Sequence, residues 1–108
     1  MKLLSRNEEI VLVAVWRLRG NAYGVTIKDL VSAMTGYPWK FGAVYVTLDM
    51  LAGKGYVAKY ESEPIAERGG RRKVLYDVTE AGKSALKLIR EIHATLWDGL
   101  SNAVFDEA

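Results

Sequence analysis

The spacing of apolar residues predicts that the 108-residue chain begins with a buried helix. The segment "SRNEEIVLVAVWRLRGN" opens with a capping box, in which Ser5 and Glu8 can each bind the backbone amide of the other. Residues 10–16 are apolar on every side, which is typical of a helix that is buried on more than one face. Because a small domain rarely covers a helix completely, we expect part of this surface to meet a second subunit.

Two further helices, joined by a short turn, form a predicted helix-turn-helix. In "YGVTIKDLVSAMTG" the apolar positions recur at three- and four-residue spacing, and Gly36 suits the C-terminal cap. Pro38 places a turn after it, because proline disfavours helix at the preceding residue. The next helix, "KFGAVYVTLDMLAGKGYV", carries one apolar stripe formed by Val44, Leu48, Leu51 and Ala52.

Two alternating segments and a long last helix complete the pattern. "YVAKYES" and "RRKVLYDV" predict a pair of strands, joined by a connection that is too long for a tight turn. Thr79 caps a helix predicted to run to Val104. Its apolar stripe exceeds what a compact domain can cover, so we expect it to form a dimer. The predicted dimerisation residues are Ile89, Ile92, Leu96 and Leu100.

The predicted fold class is therefore mainly α with a small β-hairpin wing. It is a winged helix-turn-helix followed by a long C-terminal dimerisation helix. Residues 1–79 are expected to form the winged helix-turn-helix domain, including the N-terminal helix. Residues 80–108 are expected to form the dimerisation helix, and the two parts make one structural unit.

Composition narrows the classes of function. Half of the residues are hydrophobic and the net charge is +2, so a folded domain with a mildly basic surface is expected. The chain has no cysteine and one histidine, His93, which excludes disulfides and thiolate metal sites and makes a metal centre improbable. We find no catalytic motif, phosphate loop, signal peptide or membrane span, and we predict a cytoplasmic protein that is not an enzyme and has no cofactor.

Two sequence blocks resemble the PadR family of winged-helix transcriptional regulators, in its short form with one C-terminal helix. The first is "GAVYVTLDMLAGKGYV", which follows the pair Tyr23–Gly24 and the second helix, and the other is "GGRRKVLYDVTEAG". The resemblance covers roughly residues 5–104. It implies a homodimeric transcription factor, often a repressor, whose third helix enters the major groove. It also implies a wing along the DNA backbone and, in many members, a small hydrophobic or aromatic effector near the dimer interface.

The basic segment between the two strands is the predicted phosphate contact. Cations that neutralise DNA phosphates release counterions, and glycines give a wing reach. The alternative is an ordinary solvated hairpin tip, which the helix-turn-helix context makes less favoured. On the third helix, outward residues are expected to contact DNA, with Ala43 and Val46 suited to thymine methyl groups. The full predicted DNA-binding set is Tyr23, Lys28, Lys40, Ala43, Tyr45, Val46, Thr47, Gly70, Arg71, Arg72 and Lys73.

An effector site is predicted where the first and last helices would meet a partner. His93 and Trp97 share one helix face, on which a flat ligand can stack. The favoured alternative is a plain packed interface, since aromatic residues at helical spacing are usually core. The candidate ligand-contacting residues are Asn7, Val11, Trp16, His93 and Trp97. Two other functions stay open: a winged-helix module that binds protein, and a DNA-binding dimer controlled only by its abundance.

Overall fold

The computed structural model describes residues 3–62 and 73–100. Four helices and one antiparallel pair of strands occur in these residues, in the order that the sequence predicts. The predicted fold class, mainly α with a small β-hairpin, is confirmed. The elements are α1 (Arg6–Arg17), α2 (Gly24–Thr35), α3 (Phe41–Gly53), β1 (Val57–Glu61), β2 (Val74–Val78) and α4 (Glu80–Trp97).

Helix α1 lies at the centre of the core. It begins with the predicted capping box: Glu8 N donates to Ser5 Oγ at 3.1 Å, and Ser5 N donates to Glu8 Oε1 at 2.8 Å. Helices α2, α3 and α4 and strand β2 all pack against it. The chain itself therefore covers more of α1 than the sequence suggests, because four elements surround it. Its fully buried apolar residues are Val11, Leu12, Ala14 and Val15.

The turn between α2 and α3 is fixed by two side chains of α2. Gly36 ends α2 in the left-handed conformation at φ +68°, as its predicted capping role requires. Trp39 then donates its backbone N–H to Ser32 Oγ at 3.0 Å and its indole N–H to Thr35 Oγ1 at 3.2 Å. These bonds set the point at which α3 begins and thus its direction relative to α2.

The hairpin is tied to the helices at its base. In its register Val57 pairs with Val78 and Glu61 with Val74, and Tyr76 N donates to the carbonyl of Ala22 in the α1–α2 loop at 2.8 Å. This last bond joins the free edge of β2 to the helix-turn-helix. The wing root consequently has a fixed position beside the start of α2.

Helix α4 is anchored at its N-terminus and ends earlier than predicted. The Thr79 hydroxyl accepts from Gly82 N at 3.0 Å and donates to the Gly55 carbonyl at 2.6 Å. A side chain at residue 82 would overlap the Tyr56 carbonyl, which explains the glycine there. The predicted continuation to Val104 is wrong at Trp97, because Asp98 is extended and Gly99 has φ +79°. The predicted division at residues 79 and 80 stays a prediction.

Candidate nucleic-acid interface

The outer face of α3 is unusually apolar for an exposed surface. Val44, Leu48 and Leu51 are buried against the core, as their spacing predicts. On the other side, Val46 is 61% exposed and Tyr45 45% exposed. A helix with two apolar faces and only one core to cover has a second face available for a partner.

Thr47 is the one predicted contact on α3 that the structure places on the buried side. Its side chain is almost fully buried, and its hydroxyl donates to the Ala43 carbonyl at 2.8 Å. The expectation that Thr47 faces outward is wrong, because the helical period places it between Val44 and Leu51 on the core side. A threonine tolerates this position since its hydroxyl bonds back to the preceding turn.

Lysine and aromatic side chains of α2 and α3 form a cluster beside this face. Lys28 Nζ lies 5.1 Å from the centre of the Phe41 ring, and the Phe41 and Tyr45 rings are stacked with their centres 6.3 Å apart. The Tyr45 hydroxyl packs so closely on Gly24 that any side chain there would overlap it. The contacts thus bring the predicted residues Lys28 and Tyr45 together. Phe41 was not predicted, although its position four residues before Tyr45 was a usable signal.

A second cation–aromatic contact joins the wing root to the helix-turn-helix. Lys73 Nζ lies 4.2 Å from the centre of the Tyr23 ring. The backbone of Lys73 also exchanges hydrogen bonds with Ser62, both at 2.8 Å, which extends the strand pairing toward the tip. The structure therefore places Tyr23 and Lys73 side by side. The predicted contacts Gly70, Arg71 and Arg72 lie outside the described residues.

The N-terminal end of α3 borders a mainly apolar cavity. Lys40 and Ala43 are exposed there and line a cavity of about 590 Å³. Trp39 and Tyr37 contribute aromatic walls, and Asn7 of α1 adds a polar group. Lys40 and Ala43 are thus the predicted DNA-binding residues at the N-terminal end of α3.

Charge on α3 itself is limited to one carboxylate. Asp49 is exposed and lies 3.6 Å from Lys59 Nζ of β1. Burial raises the pKa of the neighbouring Tyr76 hydroxyl, and the nearby Tyr45 and Asp49 raise it further, so Tyr76 stays protonated at neutral pH. Helix α3 thus carries a single charged side chain, while Lys40 caps its start and Lys28 and Lys73 lie on neighbouring segments.

The sequence matches the model of one known protein family. The model of the transcriptional regulator PadR-like family matches residues 11–88, which include the C-terminal half of α1, the helix-turn-helix, both strands and the first half of α4. The chain belongs to the PadR-like family. Members of this family are DNA-binding transcriptional regulators rather than enzymes.

Solved structures share the fold at low sequence identity. The protein smu.1704 of Streptococcus mutans is 22% identical, with a TM-score of 0.72 over 95% of this chain and 92% of that one. A PadR family transcription regulator of Clostridium difficile is 19% identical, with a TM-score of 0.67 over 94% and 99%. RosR of H. salinarum is 23% identical, with a TM-score of 0.66 over 96% and 93%. No curated protein sequence matches the chain significantly.

The predicted effector residues of this PadR-like chain do not form one site in the described structure. Val11 is fully buried in the core, which contradicts a contact with a ligand, because the elements that pack around α1 enclose it. His93 Nε2 lies 2.9 Å from Glu9 Oε2 and so joins α4 to α1. Trp16 packs beneath Arg19 and Lys83, with the two cationic groups 4.5 and 5.2 Å from its ring.

The predicted dimerisation stripe is partly exposed. Ile89 and Ile92 are half-buried, whereas Leu96 is 61% and Leu100 42% exposed. Leu100 lies beyond the end of α4 rather than on it. In the described ranges no helix is long and apolar enough to cross a bilayer, and no group of three potential metal ligands occurs.

Proposed function

We propose that the protein is a homodimeric repressor that binds a pseudo-palindromic operator and is released by a small hydrophobic or aromatic effector. One observation carries the DNA-binding part. The outward face of α3 is bordered, on the flank where Tyr45 packs on Gly24, by two lysine–aromatic pairs, Lys28 with Phe41 and Lys73 with Tyr23. An apolar outward face with cations beside it suits a duplex, whose base edges lie next to phosphate backbones.

The dimer is inferred from the exposed apolar surface of α4. Only Gly82 and Ala85 of this helix are buried within the chain, although its apolar stripe continues to Trp97. Leu96 and Trp97 are more than half exposed. A second copy would cover them, and two-fold symmetry would present two α3 helices about one DNA turn apart, roughly 34 Å.

Effector control requires two arrangements of the dimer that differ in DNA affinity. Helix α4 reaches α1 through the contact between His93 and Glu9, so a ligand held near Trp97 can change how the two winged domains are spaced. Such a ligand would shift DNA affinity by the factor with which it prefers one spacing. Repression would then result from steric exclusion at the promoter.

Selection from a random duplex library tests the proposal. Purified protein would be used to enrich duplexes, and anisotropy would compare the enriched sequence with its scrambled form at low and near-physiological salt. We expect a two-fold symmetric sequence that is preferred at both salt concentrations, and a dimer by sedimentation. Enrichment of no sequence, or binding that disappears equally for both duplexes as salt rises, would refute sequence-specific recognition. A monomer on the enriched duplex would refute the dimer.

A control variant separates the two parts of the proposal. Leu96→Glu places a charge in the exposed stripe of α4 and changes nothing on α3, so we expect a folded monomer with much weaker operator binding. Val25→Ala removes a similarly exposed apolar side chain from α2 and is expected to remain dimeric. If Leu96→Glu remains a dimer with full affinity, another surface forms the interface.

A further inference from the structure

The most outward line of α3 carries very little side chain. The helical period places Gly42, Val46, Asp49 and Gly53 opposite the buried residues of α3. Val46 and Asp49 are therefore the only side chains larger than hydrogen on this line. Tyr45 is turned to one flank, where its hydroxyl packs on Gly24.

The two glycines on this line have no role in packing within the described structure. A β-carbon added at Gly42 or at Gly53 would meet no atom within 4 Å, and neither residue has a positive φ. Glycine within a helix costs about 0.5–1 kcal/mol relative to alanine. Glycine at residues 42 and 53 leaves the outward surface of α3 without side chains there, which lets the helix axis approach a partner closely.

We infer that Val46 determines operator sequence by contacting the methyl group of a thymine in each half-site. The inference rests on the proposed function and deepens it. Helix α3 contains no Arg, Lys, Asn or Gln, so it has none of the side chains that bind guanine or adenine through two hydrogen bonds. An exposed branched apolar group at the centre of a low-profile helix instead matches the one apolar feature of the major groove, the C5 methyl of thymine.

Asp49 supports the placement of this face over bases rather than over the backbone. Its carboxylate is next to Val46 on the outward line, and a phosphate there would be repelled. Lys59 lies 3.6 Å away and partly neutralises it. Helix α3 therefore favours base edges at its centre, while Lys28 and Lys73, beside the flank that carries Phe41 and Tyr45, are available to phosphates.

The test replaces thymine by deoxyuridine, which removes only the C5 methyl. Starting from the enriched duplex, each thymine pair related by the two-fold axis is replaced in turn, and the dissociation constants are measured by anisotropy. Loss of one buried methyl contact is expected to weaken binding about fourfold per half-site, hence about 15-fold for a symmetric pair. Val46→Ala should weaken binding to the thymine duplex and abolish most of the difference between thymine and deoxyuridine.

Two further variants control the interpretation. Val25→Ala removes another exposed valine, on α2, and should leave the thymine-to-deoxyuridine ratio unchanged. Gly42→Ala should keep or raise thermal stability, since the added methyl meets open space, and yet weaken operator binding by lifting α3 from the groove.

The outcomes separate this inference from the proposed function. If binding is sequence-specific but no deoxyuridine position changes it, the methyl contact is refuted while the regulator stands. If the ratio persists in Val46→Ala, another side chain reads the methyl and the assignment to Val46 is wrong. If no duplex is enriched at all, the proposed function itself fails.

Discussion

The buried carboxylate of Glu8 offers the sharpest test of how α3 is held against α1. Glu8 is 2% exposed and lies at the start of α1. Its Oε2 accepts a hydrogen bond from Nζ of Lys54, the residue immediately after α3, at 2.6 Å. Its Oε1 completes the capping box with Ser5. The perturbations are Lys54→Met, which leaves the carboxylate without its cation, and Glu8→Gln, which keeps the shape and removes the charge.

The magnitudes follow from the burial of the two groups. Removing one partner of a fully buried ion pair costs about 3–5 kcal/mol. The Lys54 side chain is 25% exposed, so water replaces part of what is lost, and we expect about 2–3 kcal/mol for Lys54→Met. Glu8→Gln retains only one acceptor oxygen, so its NH2 group faces either the Lys54 ammonium or the Ser5 N–H, and about 1–3 kcal/mol is expected. Lys59→Met breaks the exposed pair with Asp49 and should cost less than about 1 kcal/mol.

The effect of Glu8 depends on pH in a defined direction. Burial alone raises the pKa of this carboxyl, but the hydrogen bonds from Lys54 and Ser5 outweigh it and leave the pKa below its ordinary value of 4.5. Because the folded pKa is depressed, the stabilisation is complete above pH 4.5 and is lost as the pH falls through the folded pKa. The difference in free energy of unfolding between wild type and Glu8→Gln should therefore shrink below pH 4.5.

Urea unfolding followed by circular dichroism measures these differences, at one protein concentration because a dimer links stability to concentration. The reasoning is refuted if Lys54→Met is no more costly than Lys59→Met. It is also refuted if the difference between wild type and Glu8→Gln is the same at pH 7 and pH 3.

Two further predictions concern the wing and its support. Gly82→Ala should destabilise the fold by about 2–4 kcal/mol, because the new methyl would overlap the Tyr56 carbonyl, whereas Gly53→Ala, whose methyl meets open space, should be neutral or stabilising in thermal unfolding. Equal stabilities of the two variants would contradict the close approach at Gly82. Lys73→Ala should lower the slope of log affinity against log salt by about one unit on any duplex, and Lys87→Ala on α4 should not. An unchanged slope for Lys73→Ala would remove this lysine from the phosphate contacts.

Local chemistry made much of the fold predictable from sequence. The capping box at Ser5 and Glu8 and the glycine cap at Gly36 depend only on residues a few positions apart, and both were predicted correctly. The stripe of α3 and the pairing of β1 with β2 follow from periods of 3.6 and 2. The predicted end of α4 was wrong, because the apolar pattern in the sequence continues past Gly99 whereas the helix ends at Trp97.

The sequence by itself determined the order of elements and the family, since periodicity and motif spacing encode them along the chain. Only the tertiary structure decided which side of α3 Thr47 occupies, and that Val11 is enclosed rather than available to a ligand. It also decided that Lys28 meets Phe41 and that Lys73 meets Tyr23. These contacts join residues far apart in the chain, and the packing angles of α1, α2 and the hairpin, which no local pattern specifies, bring them together.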